Sequence, residues 1–275
     1  MKNSLNNIID GISQSVPRSD KEYVGEDGLL KCRICNARVE AIINVFGTDR
    51  KVRCICDCKK EELNKYKEYE QLMERDKAKK VCFMQSNMAD WTFANDDKQN
   101  EKISNAMKRY VEQFESDFRK SGTGLLLYGS VGTGKTYYAA CIANELIDKG
   151  YRVLMTNFAR LTNQLQGKFE GKQEYLDSLN DYSLLIIDDL GAERDSEYMQ
   201  EIIFNITDAR YRSGKPFIIT TNLSLNELIN TDKLAHKRIY DRILERCHPV
   251  KVDGKSRRTE NFKSNIINVG SKLGL

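Results

Sequence analysis

Four regions of the 275-residue chain differ in how apolar and polar positions alternate. The first region, residues 1–20, carries four apolar residues at helical spacing: Leu5, Ile8, Ile9 and Ile12. This spacing predicts an N-terminal amphipathic helix. The third region, residues 61–90, is rich in Lys and Glu and has only a sparse apolar stripe. It is predicted to be a solvated connecting helix or linker.

The second region, residues 28–60, contains a candidate β-hairpin. Its strands are Val39–Phe46 and Arg50–Arg53, with a turn predicted at Gly47–Asp49. Most of the cysteines of the chain also fall in this region. The region is therefore predicted to be a small module of its own.

In the fourth region, residues 91–275, short apolar runs alternate with longer stretches of helical periodicity. Five runs have the length of strands: Gly124–Tyr128, Arg152–Thr156, Leu184–Asp188, Pro216–Thr221 and Pro249–Val252. Helical stretches separate them, including Lys135–Lys149 and Glu197–Ser213. This alternation predicts an α/β domain with a mainly parallel five-stranded sheet covered on both faces.

Composition narrows the class of protein without adding a function. Hydrophobic residues make up 40% and charged residues 31% of the chain, and there are only 3 prolines, as expected for a globular protein. A net charge of +4 permits contact with nucleic acid but does not demand it. No targeting signal or membrane-length apolar run is visible, so we expect a cytoplasmic protein without a membrane partner.

The clearest chemical motif is the octapeptide that follows the first apolar strand, which reads Gly129-Ser130-Val131-Gly132-Thr133-Gly134-Lys135-Thr136. This is the pattern of a phosphate-binding loop, and a helix that begins with Lys135 and Thr136 and continues through Tyr137 follows it. We expect these residues to bind ATP, with Lys135 on the β- and γ-phosphates and Thr136 on Mg²⁺. The alternative is a glycine-rich turn without a ligand.

A second candidate site is the acidic end of the third apolar run. Asp188 and Asp189 follow four apolar residues, at the end of a strand that should lie beside the phosphate loop. Asp188 is expected to hold Mg²⁺, and Asp189 to orient or deprotonate the attacking water. An additional predicted strand, Arg152–Thr156, precedes them in the chain, which is typical of ATPases that place a catalytic acid at this point. The alternative is a solvated acidic turn.

Five of the 8 cysteines lie close together: Cys32, Cys35, Cys54, Cys56 and Cys58. Clustered thiols in a reducing compartment favour Zn²⁺, which takes four thiolates, and the spacing leaves open which four of the five bind. An iron–sulfur cluster, a redox pair or a group of buried reduced cysteines are the alternatives. The three scattered cysteines, Cys82, Cys141 and Cys247, are predicted to be small buried residues.

These features together resemble the AAA+ ATPases, and within them the bacterial and phage helicase loaders of the DnaC/DnaI type. The resemblance covers about residues 90–260. Its most specific segments are Asp188–Glu193, Arg210-Tyr211, Lys215-Pro216, Ile219–Leu223, Arg238–Ile243 and Gly254–Arg258. The fold it implies is an AAA+ P-loop domain preceded by a small zinc-binding module.

The resemblance also implies roles for single residues. Asn222 matches the sensor 1 residue that helps to position the hydrolytic water. Arg258, with Arg257 as the second choice, matches the sensor 2 arginine that contacts the subunit's own nucleotide. Many AAA+ proteins carry Glu where this chain has Asp189, so hydrolysis is expected to be slow and stimulated by assembly or DNA.

Arg242 matches the arginine finger, which reaches the γ-phosphate held by an adjacent subunit. This role implies self-association through the ATPase domain. A surface ion pair of Arg242 with Asp241 or Glu245 is the alternative.

By resemblance, the chain is expected to load a DnaB-type hexameric replicative helicase onto single-stranded DNA. The cysteine module would hold the helicase, and the N-terminal helix would either dock on it or pack on its own module. Four basic residues are candidate DNA contacts: Lys168, Lys172, Arg210 and Arg212. The alternatives are a transposition helper ATPase of the IstB kind and a zinc-containing adaptor with a nucleotide switch.

Overall fold

The structure, a computed structural model, describes residues 19–84, 86–166, 171–192 and 196–273. The chain divides into two compact units, Met1–Glu74 and Arg75–Leu275. All but the last two residues of the predicted N-terminal helix, residues 1–20, lie outside the described residues.

In the described part of the first unit, two antiparallel strand pairs precede a helix. Strands β1 (Glu22–Val24) and β2 (Leu30–Cys32) form one pair, and β3 (Glu40–Val45) and β4 (Thr48–Arg53) form the other. Buried Leu30, Cys32, Val39 and Cys56 form its small core.

The predicted hairpin is present, but its turn lies one residue earlier than predicted. Val45 pairs with Thr48, which leaves only Phe46 and Gly47 in the turn. Both have positive φ, 52° and 81°, as a two-residue type I′ turn requires. Thr48 and Asp49, predicted as turn residues, therefore belong to β4.

Helix α1 (Asp57–Cys82) starts in the first unit and ends in the second. An acid in its first turn (Asp57) and lysines in its last turn (Lys79 and Lys80) complement the helix dipole. Cys82 is its buried residue, and most of the helix is exposed. This exposed helix covers residues 57–82, whereas the predicted connecting segment covered residues 61–90.

The second unit contains a five-stranded parallel sheet. Its strands are β5 (Gly124–Tyr128), β6 (Val153–Asn157), β7 (Leu184–Leu190), β8 (Phe217–Thr221) and β9 (Cys247–Lys251), and their order is β6-β7-β8-β5-β9. All five predicted strands are present, and none of their ends differs from the predicted end by more than two residues. The strand that precedes the acidic strand in the chain, β6, lies at the sheet edge, and β8 separates β5 from β7.

The described residues of the second unit also form eight helices after α1. They are α2 (Glu101–Glu112), α3 (Lys135–Asp148), α4 (Phe158–Gln166), α5 (Lys172–Leu179), α6 (Glu197–Ser213), α7 (Leu225–Ile229), α8 (Leu234–Arg246) and α9 (Arg257–Leu273). Short helical turns occur at Asn87–Asp90, Phe93–Asn95, Phe114–Phe118 and Arg119–Ser121. In the described part of the chain, no helix combines the length and the apolar character needed to cross a membrane.

The sheet is buried on both faces, and alternate residues of its strands enter different cores. Leu125 and Leu127 pack with α2 and α3 on one face, whereas Leu126 packs with α4, α6 and α8 on the other. The predicted two-sided burial of the sheet is thus confirmed. The phosphate loop follows β5, the acidic pair lies near the carboxyl end of β7, and Asn222 follows β8. These three strands are parallel and lie side by side in the order β7-β8-β5. Their carboxyl ends meet at one edge of the sheet.

Candidate functional site

The phosphate loop connects β5 to α3 and bends sharply at its glycines. Gly129, Gly132 and Gly134 have positive φ values of 144°, 84° and 102°. A Cβ on Gly134 would lie 2.6 Å from the guanidinium of Arg257, so a larger residue has neither the conformation nor the space. Because these positions carry no side chain, the backbone N–H groups of the loop and of the N-terminus of α3 stay accessible to an anion.

Lys135 lies at the centre of this site. Its ammonium donates to the carbonyls of Gly129 (2.9 Å) and Ser130 (2.8 Å) and to Oδ1 of Asn222 (2.8 Å). Burial lowers the pKa of Lys135, the nearby charge of Arg258 adds to this effect, and Asp188 and Asp189 oppose it. All three ammonium protons are thus held by acceptors that a phosphate would replace.

The predicted magnesium ligands are in direct contact. Thr136 donates its hydroxyl hydrogen to Oδ1 of Asp188 at 2.9 Å. Thr220, on the neighbouring strand, donates to the same oxygen at 2.6 Å. Burial raises the pKa of Asp188, and these two hydroxyls oppose the rise. A hydroxyl and a carboxylate oxygen next to a phosphate cradle are the donors that Mg²⁺ prefers, so the donor set fits this cation.

Asp189 is exposed and is held by β8. Its backbone N–H donates to the hydroxyl of Thr220 at 2.9 Å, and its carboxylate accepts from the amide of Asn222 at 3.0 Å. Asn222 therefore bridges Lys135 and Asp189 through the two ends of one side chain. The structure brings together Lys135, Asp188, Asp189 and Asn222, as the sequence predicted.

The two candidate sensor 2 arginines have different environments. The guanidinium of Arg257 pairs with Asp97 and donates to the carbonyl of Thr133. The backbone N–H of Arg257 donates to the carbonyl of Gly132 at 2.9 Å. The Asp97 carboxylate raises the pKa of Arg257. Arg258 is exposed and close enough to Lys135 to lower its pKa, and no hydrogen bond of Arg258 occurs within the described residues. Arg257 thus fastens α9 to the phosphate loop, and Arg258 keeps a free guanidinium near it.

Tyr137, a predicted nucleotide-binding residue, directs its side chain away from the loop. Its hydroxyl donates to the carbonyl of Thr92 at 2.7 Å, and its ring lies 5.7 Å from that of Trp91. A contact of Tyr137 with a phosphate would therefore come from its backbone.

Arg242, the candidate arginine finger, lies on α8 and contacts α6. Its Nε donates to Asp208 at 2.8 Å, and its guanidinium lies 4.6 Å from the ring centre of Phe204. The partner suggested by sequence, Asp241 or Glu245, is wrong because residues on α6 reach the guanidinium first. No contact of Arg242 with the phosphate loop or the acidic pair occurs in the described ranges.

Four of the five clustered cysteines converge. The sulfur atoms of Cys32, Cys35, Cys56 and Cys58 all lie within 4.8 Å of one another. Around one zinc ion with bonds of about 2.3 Å, four sulfurs would be about 3.8 Å apart, so the donor set fits zinc. Cys54 is separate, and its thiol donates to the carbonyl of Arg38 at 3.5 Å.

Backbone amides favour the thiolate form at the first two positions. The N–H groups of Cys35 and Ile34 lower the pKa of Cys32, and those of Cys58 and Ala37 lower the pKa of Cys35 to about 6. Contact with the neighbouring sulfurs, Cys56 first, raises the pKa of Cys58. A metal binds the thiolate form, so these amide donors suit a metal-binding cluster. The scattered thiols Cys82, Cys141 and Cys247 are fully buried, as predicted.

One predicted DNA contact is wrong. Arg210 is only 1% exposed, and its guanidinium donates to four backbone carbonyls, those of Leu179, Tyr182, Ser183 and Pro216. It joins α6 to the start of the sheet and cannot reach a phosphate. Lys172 and Arg212 are exposed, and Lys168 lies outside the described residues.

Comparison with known proteins agrees with this geometry. The family model for IstB-like ATP binding proteins matches residues 58–265. The chain belongs to this family. As an IstB-like ATP-binding protein it has the AAA+ type of α/β domain, and the predicted fold class is confirmed.

Relatives of this IstB-like protein include named helicase loaders. It is 26% identical over 277 residues to "Replicative helicase loader DnaI" of Bacillus subtilis (strain 168), which covers 94% of this chain and 84% of that protein. It is 31% identical over 140 residues to "Replicative helicase loader DnaC" of Escherichia coli (strain K12), a match of 50% of this chain and 54% of that protein. A crystal structure of DnaI aligns with a TM-score of 0.52 at 28% identity, covering 62% of this chain and 92% of that one.

Proposed function

We propose that the chain is an ATP-dependent loader of a replicative hexameric helicase. The observation that carries this proposal is the extent of the similarity to the DnaI loader, which covers 94% of the chain. The family model, in contrast, starts only at residue 58, after the first four clustered cysteines. Similarity to a loader therefore extends beyond the ATP-binding domain into the first unit.

ATP hydrolysis is the chemistry that the second unit is arranged to perform. Lys135 exchanges its carbonyl and amide acceptors for the β- and γ-phosphates, and Arg258 lies near enough to contact the same nucleotide. Thr136 and Asp188 hold Mg²⁺, which neutralises charge on the phosphates when bound. Once Lys135 has left Asn222, the amide of Asn222 and the carboxylate of Asp189 together orient the attacking water.

Hydrolysis depends on assembly because one cation comes from a neighbouring subunit. Arg242 supplies this charge, and Asp208 and Phe204 keep its guanidinium in place until the neighbour docks. Self-association through the ATPase domain and contact with single-stranded DNA complete the loading cycle. The shorter acid at Asp189 keeps turnover slow.

The first unit binds zinc through Cys32, Cys35, Cys56 and Cys58 and holds the helicase. The metal stabilises a unit whose apolar core is small, as is usual for modules of this size. Cys54 is the thiol left without zinc.

The loader role is tested by capture of a helicase. The full chain is immobilised and offered the replicative helicase of the organism or phage that encodes it. We expect wild type and Cys54→Ser to retain the helicase and Cys56→Ser to lose it. Failure of the wild-type chain to retain helicase, with and without ATP, would end the loader proposal.

The ATPase is tested separately by phosphate release with and without single-stranded DNA. We expect slow turnover that increases with DNA. A chain that binds helicase but releases no phosphate in either condition would be an adaptor with a nucleotide switch.

A further inference from the structure

The acidic pair does not sit in a regular strand. β7 and β8 pair in register at Ile187 and Ile219, and the pairing resumes at Leu190 and Thr221. Two residues of β7, Asp188 and Asp189, therefore face a single residue of β8, which is Thr220. This is a β-bulge, a device that redirects side chains at sites of function.

The hydroxyl of Thr220 lies opposite the bulge and acts there both as a hydrogen-bond donor and as an acceptor. It donates to Oδ1 of Asp188 at 2.6 Å and accepts the backbone N–H of Asp189 at 2.9 Å. Thr220 is only 1% exposed, so water does not compete for these bonds.

Asp189 needs this support because its backbone is in the left-handed region, with φ at 63°. That conformation costs about 1 kcal/mol or more for a residue other than glycine and persists only where neighbours enforce it. The bond from its N–H to Thr220 is such a constraint, and the bond from Asn222 to its carboxylate is a second one.

The same hydroxyl also orients Asp188. Oδ1 of Asp188 accepts from Thr136 on one side and from Thr220 on the other. Among the hydrogen bonds of the described residues none is made to Oδ2, which leaves this oxygen for a cation.

We propose that Thr220 is the positioning residue of the hydrolytic site, setting through one hydroxyl the direction of the magnesium-binding carboxylate and of the water-orienting acid. This inference rests on the proposed ATPase function. The sequence held one signal for it, two consecutive threonines at the end of a fully buried central strand, and only the structure shows which of the two contacts the aspartates.

The test compares three substitutions on the same strand. Thr220→Val removes the hydroxyl while keeping the shape, and Thr220→Ser keeps the hydroxyl. Thr221→Val is the matched control, since Thr221 is also fully buried and donates to the carbonyl of Leu190 at 2.7 Å but touches neither aspartate. If the Thr220→Val chain does not fold, Thr220→Cys takes its place.

Affinity for a fluorescent ATP analogue is measured with Mg²⁺ and with EDTA, together with turnover and the melting temperature of the protein. In Thr220→Val we expect the increase in nucleotide affinity caused by Mg²⁺ to fall by about 10-fold or more. We expect turnover to fall by a similar factor. Affinity in EDTA stays within about 3-fold of wild type, because the phosphate loop is intact. Thr220→Ser restores both properties, and Thr221→Val lowers the melting temperature without changing the gain from Mg²⁺.

The inference would be overturned if Thr220→Val and Thr221→Val had the same melting temperature and if both kept the wild-type increase in nucleotide affinity on addition of Mg²⁺. A wild-type chain that gains no affinity from Mg²⁺ and has no turnover would instead overturn the ATPase proposal. A crystal structure of nucleotide-free Thr220→Val judges the inference in either case. We expect Asp189 to leave the left-handed region in it, and an unchanged bulge would contradict the inference.

Discussion

Replacing Arg210 by methionine tests whether this arginine stabilises the fold through its buried hydrogen bonds or contacts DNA, as its sequence position had suggested. The side chain is 1% exposed and makes five hydrogen bonds to four backbone carbonyls, with distances of 2.7–3.3 Å. Methionine fills similar space but leaves all four carbonyls without this donor. Each orphaned buried acceptor costs about 1 kcal/mol or more.

Part of that loss is recovered because the charge itself is costly to bury. Burial lowers the pKa of Arg210 to about 10, which shows the penalty on its charged form. We therefore expect a net loss of about 2–4 kcal/mol in the free energy of unfolding, out of roughly 5–15 kcal/mol for a typical domain. The control is Arg212→Met on the same helix, whose side chain is 75% exposed and pairs with Asp208. It should stay within about 0.5 kcal/mol of wild type.

The chain offers a selective probe for this measurement. Its single tryptophan, Trp91, lies in the second unit, so its fluorescence during urea unfolding reports that unit alone. A loss below about 1 kcal/mol for Arg210→Met would refute the reasoning about the buried network. Weaker binding of a single-stranded oligonucleotide with an unchanged unfolding midpoint would restore Arg210 as a phosphate contact.

Three further outcomes follow from the geometry. Arg242→Ala should abolish assembly-dependent hydrolysis and leave ATP affinity within about 2-fold of wild type, whereas Arg238→Ala on the same helix should keep both; equal turnover of the two variants contradicts the finger role. Zinc measured by atomic absorption should be retained in Cys54→Ser and lost in Cys56→Ser; the reverse result would show that Cys54 is a ligand. Asn222→Ala should lower turnover by about 100-fold with ATP still bound, and a turnover near that of wild type would remove it from the water-orienting set.

Local patterns were sufficient for the part of the site that is continuous in sequence. The phosphate loop could be predicted because its glycines, Lys135 and Thr136 are consecutive and a strand and a helix flank them. Asp188 and Asn222 could be placed because each follows an apolar run, and parallel strands bring such ends together. The positions of the five strands were predictable for the same reason.

Side chains whose partners are distant in sequence were not predictable in this way. Thr220 lies inside a strand and acts on residues more than thirty positions away, as the separations of 31 and 32 show. The contacts of Asp97 with Arg257 and of Asp208 with Arg242 were missed because the partners are 160 and 34 positions apart in the sequence. Only the three-dimensional packing of those helices selects one acid among many.

The choice among the cysteines was open in the sequence because it depends on where α1 begins. Cys58 lies in the first turn of this helix, which brings its sulfur to 3.3 Å from that of Cys56. Cys54 stays beside the end of β4 and bonds to the carbonyl of Arg38 instead. A pattern of alternating cysteines does not reveal this change of direction.

The most direct test of the loader function is transfer of the helicase to closed circular single-stranded DNA. The number of hexamers retained on the circles is counted after free protein has been removed. Four conditions are compared: wild-type chain with ATP, wild-type chain without nucleotide, Lys135→Ala with ATP, and helicase with ATP but without the chain. Wild type with ATP should place helicase on the circles, whereas Lys135→Ala should still bind helicase through the first unit and fail to load it. Equal loading by Lys135→Ala, or loading that does not need the chain at all, would contradict an ATP-dependent loader.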